Sequence, residues 1–427
     1  MKLCRSMARK NVEESKSDIS ELCEMGKCHK ACFIGLGYVG LPTAVITAVE
    51  SDGILGVDIN PKVVEMTNNG RLHFVEPGLE ALLQKVIENG RFRASCKPEI
   101  AEAYFIVVPT PLDANNCPDI SYVRKAIEDI TPLLKSGDLV VIESTCPVGT
   151  TENMALYIFS MRPELKGDIY MAYCPERVLP GNVIEELIHN DRVIGGIDKK
   201  STDKAAEFYS RIVKGELHKT DSRTAELCKL TENASRDVQI AFANELSLVC
   251  DAAGVDVWKL IRLANMHPRV NILKPGCGVG GHCIAVDPYF ITSAYPHEAK
   301  LIAKAREVNR YKSLWVTERI SNSILEFERK NHRLPVVAMM GLAFKPDIDD
   351  LRESPAVFIT STVMDKHPDV KFLIVEPYLK THIKYDLVDY EEAYQMCDIA
   401  VFLTAHKQFF KLLFKDKTVL DFCGILK

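Results

Sequence analysis

The stretch from residue 275 to residue 288 is the part of the sequence best supplied with groups for covalent chemistry. It reads PGCGVGGHCIAVDP and holds four glycines within six residues. Such a run loses much entropy on folding unless the backbone must approach something closely. A cysteine attacks carbon only as the thiolate, which backbone dipoles or a nearby cation must favour. Cys283, four residues before Asp287, is therefore a candidate nucleophile. Cys277 lies in the same loop, and spacing alone does not separate the two cysteines.

A second set of polar side chains follows one face of a long predicted helix. Lys229, Asn233 and Arg236 stand at positions i, i+4 and i+7, and Asn244 continues their line. The other faces of this helix are apolar, so the polar line needs partners, which a bound ligand could supply. A solvated surface stripe has the same spacing and stays an alternative.

A glycine motif typical of dinucleotide sites follows the first predicted strand. Gly35, Gly37 and Gly40 have the G-x-G-x-x-G spacing, and a helical stretch comes next. In such sites the glycines allow a tight turn, a close approach to a pyrophosphate and close helix packing. The second strand ends in Asp58, where a carboxylate accepts hydrogen bonds from ribose hydroxyls and repels a 2′-phosphate. The motif therefore predicts NAD rather than NADP, with a cofactor-free turn as the alternative.

Polar residues also follow three further predicted strands. Thr110 and Thr145 come at the carboxyl edge where such sheets bind ligands, although each could be an ordinary strand-end cap. Glu176 and Arg177 end another strand with an acid and a base, an arrangement suited to proton transfer or to a salt-bridged turn.

Two charged segments could hold phosphate or nucleotide. His267 and Arg269, followed by Lys274, form a basic loop suited to phosphate groups. The segment from Phe344 to Ser354 opens a later strand–helix region where a nucleotide would sit, although a charged surface turn would look the same.

Alternating strands and helices must position these groups. ACFIG, ILGVDI, AYFIVVPT, LVVIEST, DIYMAYC and RVIGG read as buried strands with helical periods between them, which predicts a doubly wound parallel sheet. An amphipathic period then runs from about Asp221 to Trp258, and a further helical region covers about 297–329. VVAMMGLAF, FLIVEP, IAVFLT and TVLDF repeat the strand rhythm.

The predicted fold is therefore α/β, with two Rossmann-like doubly wound parallel-sheet domains joined by a long central helix. The predicted regions are an N-terminal extension over 1–29, an NAD-binding domain over 30–220, a central helical region with the cysteine loop over 221–333, and a second α/β domain over 334–427.

The composition narrows the class of protein. The 427 residues carry a formal net charge of -5, which argues against a nucleic-acid binder. We find no apolar run long enough to cross a membrane and no secretory signal in the first 30 residues. The fourteen cysteines are thinly spread, which favours free thiols in the cytoplasm. Cys23 and Cys28 lack a second pair for zinc, so we expect no metal site.

As a set, these motifs resemble the UDP-glucose/UDP-mannose dehydrogenase family. The resemblance rests on GLGYVGLPT, ESTCPVGT, YCPERVLPGN, KLTENASRDVQIAFANEL, HPRVNILKPGCGVGGHCIAVDP and GLAFKPDIDDLRESPA, and it covers residues 31–427. It implies an NAD-dependent enzyme that oxidises the C6 alcohol of a UDP-sugar twice. It also implies that the region 221–333 serves dimerisation and that the region 334–427 is a UDP-binding domain. Within the family, the motif sequences look closest to those of the UDP-N-acetyl-D-mannosamine dehydrogenases, which serve cell-surface polysaccharide synthesis.

The resemblance also implies roles for matching residues. Cys283 matches the nucleophile that forms a thiohemiacetal and then a thioester. Lys229 matches the lysine that exchanges a proton and steadies the oxyanion. Asn233 and Asp287 match the residues that orient and activate water, and Glu176 matches the base for hydrolysis. The implied UDP-sugar contacts are Arg177, Val178, Lys229, Asn233, Arg236, His267, Arg269, Gly280, Lys345 and Pro346. The implied NAD contacts are Gly35, Gly37, Tyr38, Val39, Gly40, Asp58, Thr110, Thr145 and Arg352.

The resemblance leaves the sugar and the assembly open. The loop of residues 267–269 reaches a neighbouring subunit's site in the family, which implies a homodimer or a larger homo-oligomer. UDP-glucose dehydrogenases usually have lysine where this chain has Val286, which favours an N-acetylated sugar. UDP-GlcNAc and UDP-glucose 6-dehydrogenases stay alternatives, as do a one-step hydroxyacid dehydrogenase and a catalytically silent UDP-sugar-binding homologue.

Overall fold

The computed structural model describes residues 31–51, 53–178, 181–413 and 417–426. The predicted extension over 1–29 lies outside these ranges, together with Cys23 and Cys28. The chain divides into two compact units, Met1–Leu230 and Thr231–Lys427. The predicted subdivision of the second unit at residue 334 stays a prediction.

The first unit is built on one large sheet of eight strands within the described residues. These are β1 (Ala31–Ile34), β2 (Ile54–Val57), β3 (Phe92–Ser95), β4 (Ala103–Ile106), β5 (Leu139–Ile142), β6 (Tyr170–Tyr173), β7 (Arg192–Gly196) and β8 (Leu217–Asp221). They lie in the order β3-β2-β1-β4-β5-β6-β7-β8. The neighbours of β1 are β2 and β4, so the strand order reverses beside β1 and opens a crevice at its carboxyl end.

Helices cover both faces of this sheet. They are α1 (Gly40–Glu50), α2 (Pro61–Asn68), α3 (Leu79–Glu88), α4 (Ser121–Ile130), α5 (Thr150–Met161), α6 (Val183–His189) and α7 (Lys199–Tyr209). Along β4, Phe105 packs into one hydrophobic cluster, whereas Tyr104 and Ile106 pack into another. A strand buried on both faces must be apolar throughout, which is why the central strands stand out in the sequence.

The predicted sheet differs from the structure at its edges. The strands β3 and β8 were not predicted, because FRAS and LHKTD are short and partly polar. The strand β7 runs antiparallel to β6. The prediction of a parallel sheet is therefore wrong for this one pair of strands. The other neighbouring pairs of this sheet are parallel.

The long predicted helix is α8 (Ser222–Ala253), which is roughly 48 Å long at 1.5 Å per residue. The division between the two units falls within it, after Leu230. The prediction extended it to Trp258, but Gly254 adopts a positive φ of 66° and ends the helix. The side chain of Asp256 then caps α9 (Val257–Ala264) by accepting the N–H groups of Trp258 and Lys259.

The second unit contains a smaller, parallel sheet. Its strands are β9 (Val336–Met340), β10 (Lys371–Val375), β11 (Ile399–Phe402) and β12 (Thr418–Asp421), in the order β10-β9-β11-β12. Its helices after α9 are α10 (Asp287–Ala294), α11 (Lys300–Asn331), α12 (Pro355–Lys366) and α13 (Tyr390–Met396). The predicted second α/β sheet is thereby confirmed. None of the described helices has the length and hydropathy that a membrane crossing requires.

Candidate active site

The glycine motif forms the turn between β1 and α1. A Cβ atom added to Gly35 would lie 2.2 Å from the carbonyl oxygen of Val107, and one added to Gly40 would lie 1.9 Å from that of Gly35. The first and third glycines are therefore required by the protein's own packing. A Cβ atom added to Gly37 would meet no atom of the described residues within 4 Å, so the backbone there borders open space in this part of the structure. This arrangement fits the close approach of a pyrophosphate.

A carboxylate is held beside this turn. Asp58 accepts the N–H of Leu36 at 3.1 Å with one oxygen and the N–H of Asn60 at 2.9 Å with the other. Val39 caps α1 but supplies no side-chain hydrogen bond to it, and the ring of Tyr38 packs on Phe74 at 4.4 Å between centroids. A helix N-terminus facing a glycine turn, with an acid held alongside, fits a dinucleotide with free ribose hydroxyls.

The loops after β4 and β5 are tied together at the carboxyl edge of the sheet. The hydroxyl of Ser144 donates to the carbonyl of Val108 at 2.7 Å. Thr110 and Thr145, both half-buried, lie in these two loops beyond the strand ends. The structure therefore places both threonines at the edge that the sequence predicted.

Glu176 is engaged in a buried cluster of charges. Arg192 donates to one of its carboxylate oxygens at 2.9 Å, and both side chains are almost completely buried. The other oxygen accepts the backbone N–H of Arg177 at 2.6 Å. Burial raises the pKa of Glu143 in this cluster to about 7, against the opposing effect of Arg192. The hydroxyl of Tyr209 donates to Glu143 at 2.5 Å.

Of the two predicted UDP-sugar contacts that follow Glu176, Arg177 is exposed and Val178 is half-buried. A guanidinium nitrogen of Arg177 donates to the carbonyl of Asp191 at 3.3 Å. Glu176 is therefore salt-bridged to Arg192 and not to the guanidinium of Arg177, and its role as a base stays a prediction.

The polar line on α8 divides between the two units. Lys229, which is half-buried, belongs to the first unit. Asn233, one helical turn further, belongs to the second unit and donates to a carboxylate oxygen of Asp287 at 2.5 Å. Asp287 begins α10 and is 4% exposed. Arg236 is exposed to solvent. Asn233 and Asp287, distant in sequence, are therefore brought together within one unit.

The structure separates the two cysteines of the glycine-rich loop. Cys277 is 6% exposed, packs in a hydrophobic cluster and donates to the carbonyl of Leu403. Burial raises the pKa of its thiol to about 12, so Cys277 is not suited to act as a nucleophile. Cys283 is half-buried, and its carbonyl accepts the N–H groups of Val286 and Asp287 in the turn that leads into α10.

The glycines of this loop are explained in part by the protein's own packing. A Cβ atom on Gly280 would lie 2.6 Å from the carbonyl oxygen of Glu353, and one on Gly281 would lie 2.9 Å from the ring of Phe344. The N–H of Gly281 donates to the carbonyl of Arg352 at 3.0 Å. The backbone of Gly280 and Gly281 therefore makes its close approach to the protein's own segment 344–355.

That segment carries the remaining predicted ligand contacts of the second sheet. Lys345 and Pro346 are exposed. Arg352 pairs with Asp350 at 2.6 Å. Burial alone would raise the pKa of Asp350, but the hydrogen bonds from Arg352 lower it below its ordinary value. His267 and Arg269 are exposed in the loop after α9.

A buried glutamate under this segment was missed by the sequence reasoning. Glu376 accepts the N–H groups of Leu342 and Ala343 at 2.7 and 2.9 Å and contacts His406 Nε2 at 3.1 Å. The N–H of Asp347 donates to His406 Nδ1 at 3.0 Å, so Nε2 is the protonated nitrogen and donates to Glu376. Burial alone would raise the pKa of Glu376, yet these hydrogen bonds hold it below its ordinary value.

A second missed residue, Glu226 on α8, is completely buried. Its carboxylate accepts the backbone N–H groups of Gly149 and Thr151 at 2.5 and 2.8 Å and the hydroxyl of Thr151 at 2.7 Å. It therefore caps the N-terminus of α5. Its place on a helix rich in polar residues gave no signal that would distinguish it from surface charge. Among the described residues, no cluster of three or more His, Cys, Asp or Glu side chains could hold a metal ion.

Family models match three consecutive parts of the chain. Residues 29–213 match the NAD binding domain of the UDP-glucose/GDP-mannose dehydrogenase family, residues 223–311 match its central domain, and residues 338–427 match its UDP binding domain.

Individual relatives are similar over nearly the whole chain. A UDP-N-acetyl-D-mannosamine dehydrogenase of Yersinia pestis is 50% identical, over 88% of this chain and 93% of its own. An NDP-N-acetyl-D-galactosaminuronic acid dehydrogenase of Ralstonia nicotianae is 48% identical, over 92% of this chain and 95% of its own. A solved UDP-D-ManNAc dehydrogenase of Pyrococcus horikoshii has a TM-score of 0.83 at 34% identity and covers 93% of this chain and 96% of its own.

Proposed function

Because the chain belongs to the UDP-glucose/GDP-mannose dehydrogenase family, we propose that it oxidises the C6 alcohol of UDP-N-acetyl-D-mannosamine to the carboxylate with NAD. The observation that carries this proposal is the 50% identity to a UDP-N-acetyl-D-mannosamine dehydrogenase over most of both chains. The product, UDP-N-acetyl-D-mannosaminuronate, would serve cell-surface polysaccharide synthesis in the cytoplasm.

A second sugar is favoured by a specific observation. The relative that is named for N-acetyl-D-galactosaminuronic acid is nearly as similar, at 48% identity. Both names specify an N-acetylated sugar, and Val286 in place of the lysine usual in UDP-glucose dehydrogenases points the same way. UDP-GlcNAc and UDP-glucose belong in the same substrate panel.

The chemistry that we propose is a double oxidation through a covalent intermediate. NAD, when bound, would supply the hydride acceptor for each oxidation. The thiolate of Cys283 captures the C6 aldehyde as a thiohemiacetal, and oxidation of that adduct leaves a thioester. Covalent capture prevents the aldehyde from diffusing away between the two oxidations. The difference in burial between Cys283 and Cys277 supports the choice of nucleophile.

The other proposed roles follow the family resemblance. Lys229 would exchange the proton of the alcohol and steady the oxyanion. Asn233 and Asp287 would orient and activate the water that cleaves the thioester, a role supported by their 2.5 Å hydrogen bond. Glu176 would accept the proton of that water.

The UDP-sugar would be held by residues of this chain and by a loop of a second subunit. The proposed contacts are Arg177, Val178, Lys229, Asn233, Arg236, His267, Arg269, Gly280, Lys345 and Pro346. The exposure of His267 and Arg269 is consistent with their reaching a neighbouring subunit of a homodimer or larger assembly. NAD would contact Gly35, Gly37, Tyr38, Val39, Gly40, Asp58, Thr110, Thr145 and Arg352.

The test is the NADH yield of the purified enzyme with each sugar of the panel. Complete oxidation of UDP-N-acetyl-D-mannosamine gives about two NADH per sugar, since alcohol to acid is a four-electron change. Cys283→Ala should form no acid, and Cys283→Ser should stop at an aldehyde or covalent stage. Cys277→Ala is the matched control from the same loop and should keep the two-NADH yield, because its thiol is buried and protonated.

Two results would contradict the proposal. Acid formation by Cys283→Ala at the wild-type rate would exclude the covalent mechanism. A higher kcat/KM for another sugar of the panel would reassign the substrate and leave the mechanism standing.

A further inference from the structure

A chain of buried hydrogen bonds in the second unit leads to the start of the cysteine loop, which is defined here as residues 276–286. Arg306 donates to Asp237 at 2.7 Å, and Asn309 donates to the same carboxylate oxygen at 2.8 Å. The amide of Asn244 donates to the side-chain oxygen of Asn309 at 2.9 Å. The N–H of Gly276 donates to the side-chain oxygen of Asn244 at 2.9 Å.

Donors and acceptors can be arranged in only one order along this series of hydrogen bonds. The oxygen of Asn244 must face Gly276, because a backbone N–H needs an acceptor. The amide nitrogen of Asn244 must then face Asn309, whose own nitrogen faces the carboxylate of Asp237. The four side chains that form these hydrogen bonds are buried. A reversed or broken hydrogen bond would therefore leave buried polar atoms without a partner, in protein or in water.

The far end of the loop is held by the same helix. Asn233 donates to Asp287, the residue that follows the loop. Asn233 and Asn244 are eleven residues apart on α8, which is three helical turns and about 20° at 100° per residue. The two asparagines therefore share one face of α8 and fix both ends of the segment that contains Cys283.

A second contact secures the near end. The hydroxyl of Ser313 on α11 donates to the carbonyl of Cys277 at 2.7 Å. The backbone carbonyl of Asn244 accepts the hydroxyl of Ser247, which in turn accepts the amine of Lys312 at 2.8 Å. The charged groups around Asn244 are thus Asp237, Arg306 and Lys312.

We propose that Asn244 is a positioning residue for the cysteine loop, acting on Cys283 through the backbone of Gly276. The importance of Cys283 rests on the proposed function, whereas the fixing of the loop rests on the hydrogen bonds alone. A shift of about 1 Å in a reacting group can lower the rate of a reaction roughly 100-fold, so a loop released at one end affects chemistry before it affects binding of NAD.

The experiment compares Asn244→Asp, Asn244→Ala and the control Asn331→Asp. Asn331 is an exposed asparagine at the end of α11, and it donates to a helix carbonyl. One readout is the rate of alkylation of Cys283 by iodoacetamide without sugar, followed by site-resolved mass spectrometry. The other readouts are kcat and the KM for NAD in turnover.

For Asn244→Ala we expect kcat to fall roughly 10- to 100-fold while the KM for NAD stays within about twofold of wild type. The alkylation rate should change by about threefold or more at every pH, because the loop no longer holds the thiol in one place. Asn331→Asp should match wild type in each readout.

For Asn244→Asp the defect should depend on pH. The protonated carboxyl can donate to Asn309 and accept from Gly276, as asparagine does, whereas the ionised carboxyl cannot donate. The kcat of Asn244→Asp relative to wild type should therefore approach one at about pH 6. At about pH 9 it should fall toward the relative kcat of Asn244→Ala. This pH rescue keeps the test valid even if Asn244→Ala does not fold.

Wild-type kcat and alkylation rates in Asn244→Ala, or in Asn244→Asp at about pH 9, would overturn the proposal. Because alkylation is measured without sugar, a failure of the proposed mechanism would appear only in turnover. The two proposals can thus fail separately.

Discussion

Two buried carboxyl groups share one guanidinium in the first unit. Arg192 pairs with Glu176, while Glu143 accepts from Tyr209 and has a second oxygen with no hydrogen-bond partner among the described residues. Burial raises the pKa of Glu143 from 4.5 to about 7, although Arg192 opposes the rise. An acid whose pKa is higher in the folded state binds more protons folded than unfolded, so the free energy of unfolding falls as pH rises between these two values.

We therefore expect Glu143→Gln to remove a pH-dependent loss of stability. Between about pH 4.5 and pH 7 the wild type should lose on the order of 3 kcal/mol relative to the variant. Urea unfolding at several pH values measures this difference. Glu216→Gln changes a largely exposed carboxylate. Its free energy of unfolding should follow the same pH dependence as that of wild type. A difference between Glu143→Gln and wild type that stays constant with pH would show that Glu143 is not protonated on folding.

At the scale of elements, α5 and α8 are joined by two acidic residues of different burial. Glu226 on α8 is completely buried and accepts three hydrogen bonds at the N-terminus of α5. Glu152 on α5 pairs with Arg223 on α8 at the surface, at 2.8 Å. The buried contact satisfies helix-end N–H groups that have no intrahelical partner.

Glu226→Ala should lower the free energy of unfolding of the first unit by about 2–4 kcal/mol, because it leaves three buried donors unsatisfied. The matched variant Glu152→Ala removes a contact between the same two helices and should lower it by less than about 1 kcal/mol. Chemical unfolding of both variants gives the comparison. Equal losses would mean that the buried cap adds nothing beyond surface pairing.

At the scale of the whole molecule, the proposed function requires residues of two subunits at each site. If His267 and Arg269 complete the site of a neighbouring subunit, then Cys283→Ala and Arg269→Ala inactivate different components. A mixed assembly then contains one site with an intact cysteine and an intact partner loop.

Mixing the two inactive variants under subunit exchange should therefore restore activity, to about a quarter of the wild-type rate for random pairing in a dimer. Steady-state NADH formation measures the recovery. Mixing Cys283→Ala with Lys229→Ala is the control and should restore no activity, because both residues are expected to act in the same subunit's site and each site of a mixed dimer then lacks one of them. Native mass spectrometry of the mixture, with one variant isotope-labelled, confirms exchange. No recovery with Arg269→Ala, despite demonstrated exchange, would place that loop in its own subunit's site.

The sequence was sufficient for features set by local order along the chain. Central strands such as β4 are apolar throughout because both faces are buried, and Gly35, Gly37 and Gly40 keep a spacing that only a tight turn explains. Lys229 and Asn233 were selected by the same kind of pattern, and Cys283 and Asp287 by their place in the glycine-rich loop; their catalytic roles stay predictions. The end of α8 was also within reach, since Gly254 and Asp256 are ordinary stop and start signals that the apolar residues around them concealed.

Burial and pairing between distant segments could not be read in the same way. Cys277 and Cys283 have similar neighbours in sequence, yet one thiol is sealed among apolar side chains by β11 and the other is half-exposed. Asn244 and Gly276 are 32 positions apart, and Asn244 and Asn309 are 65 apart, so their hydrogen bonds exist only after α8 and α11 have packed. Residue type and spacing limit which chemistry is possible, but solvent exclusion arises from packing, and packing selects the group that remains reactive.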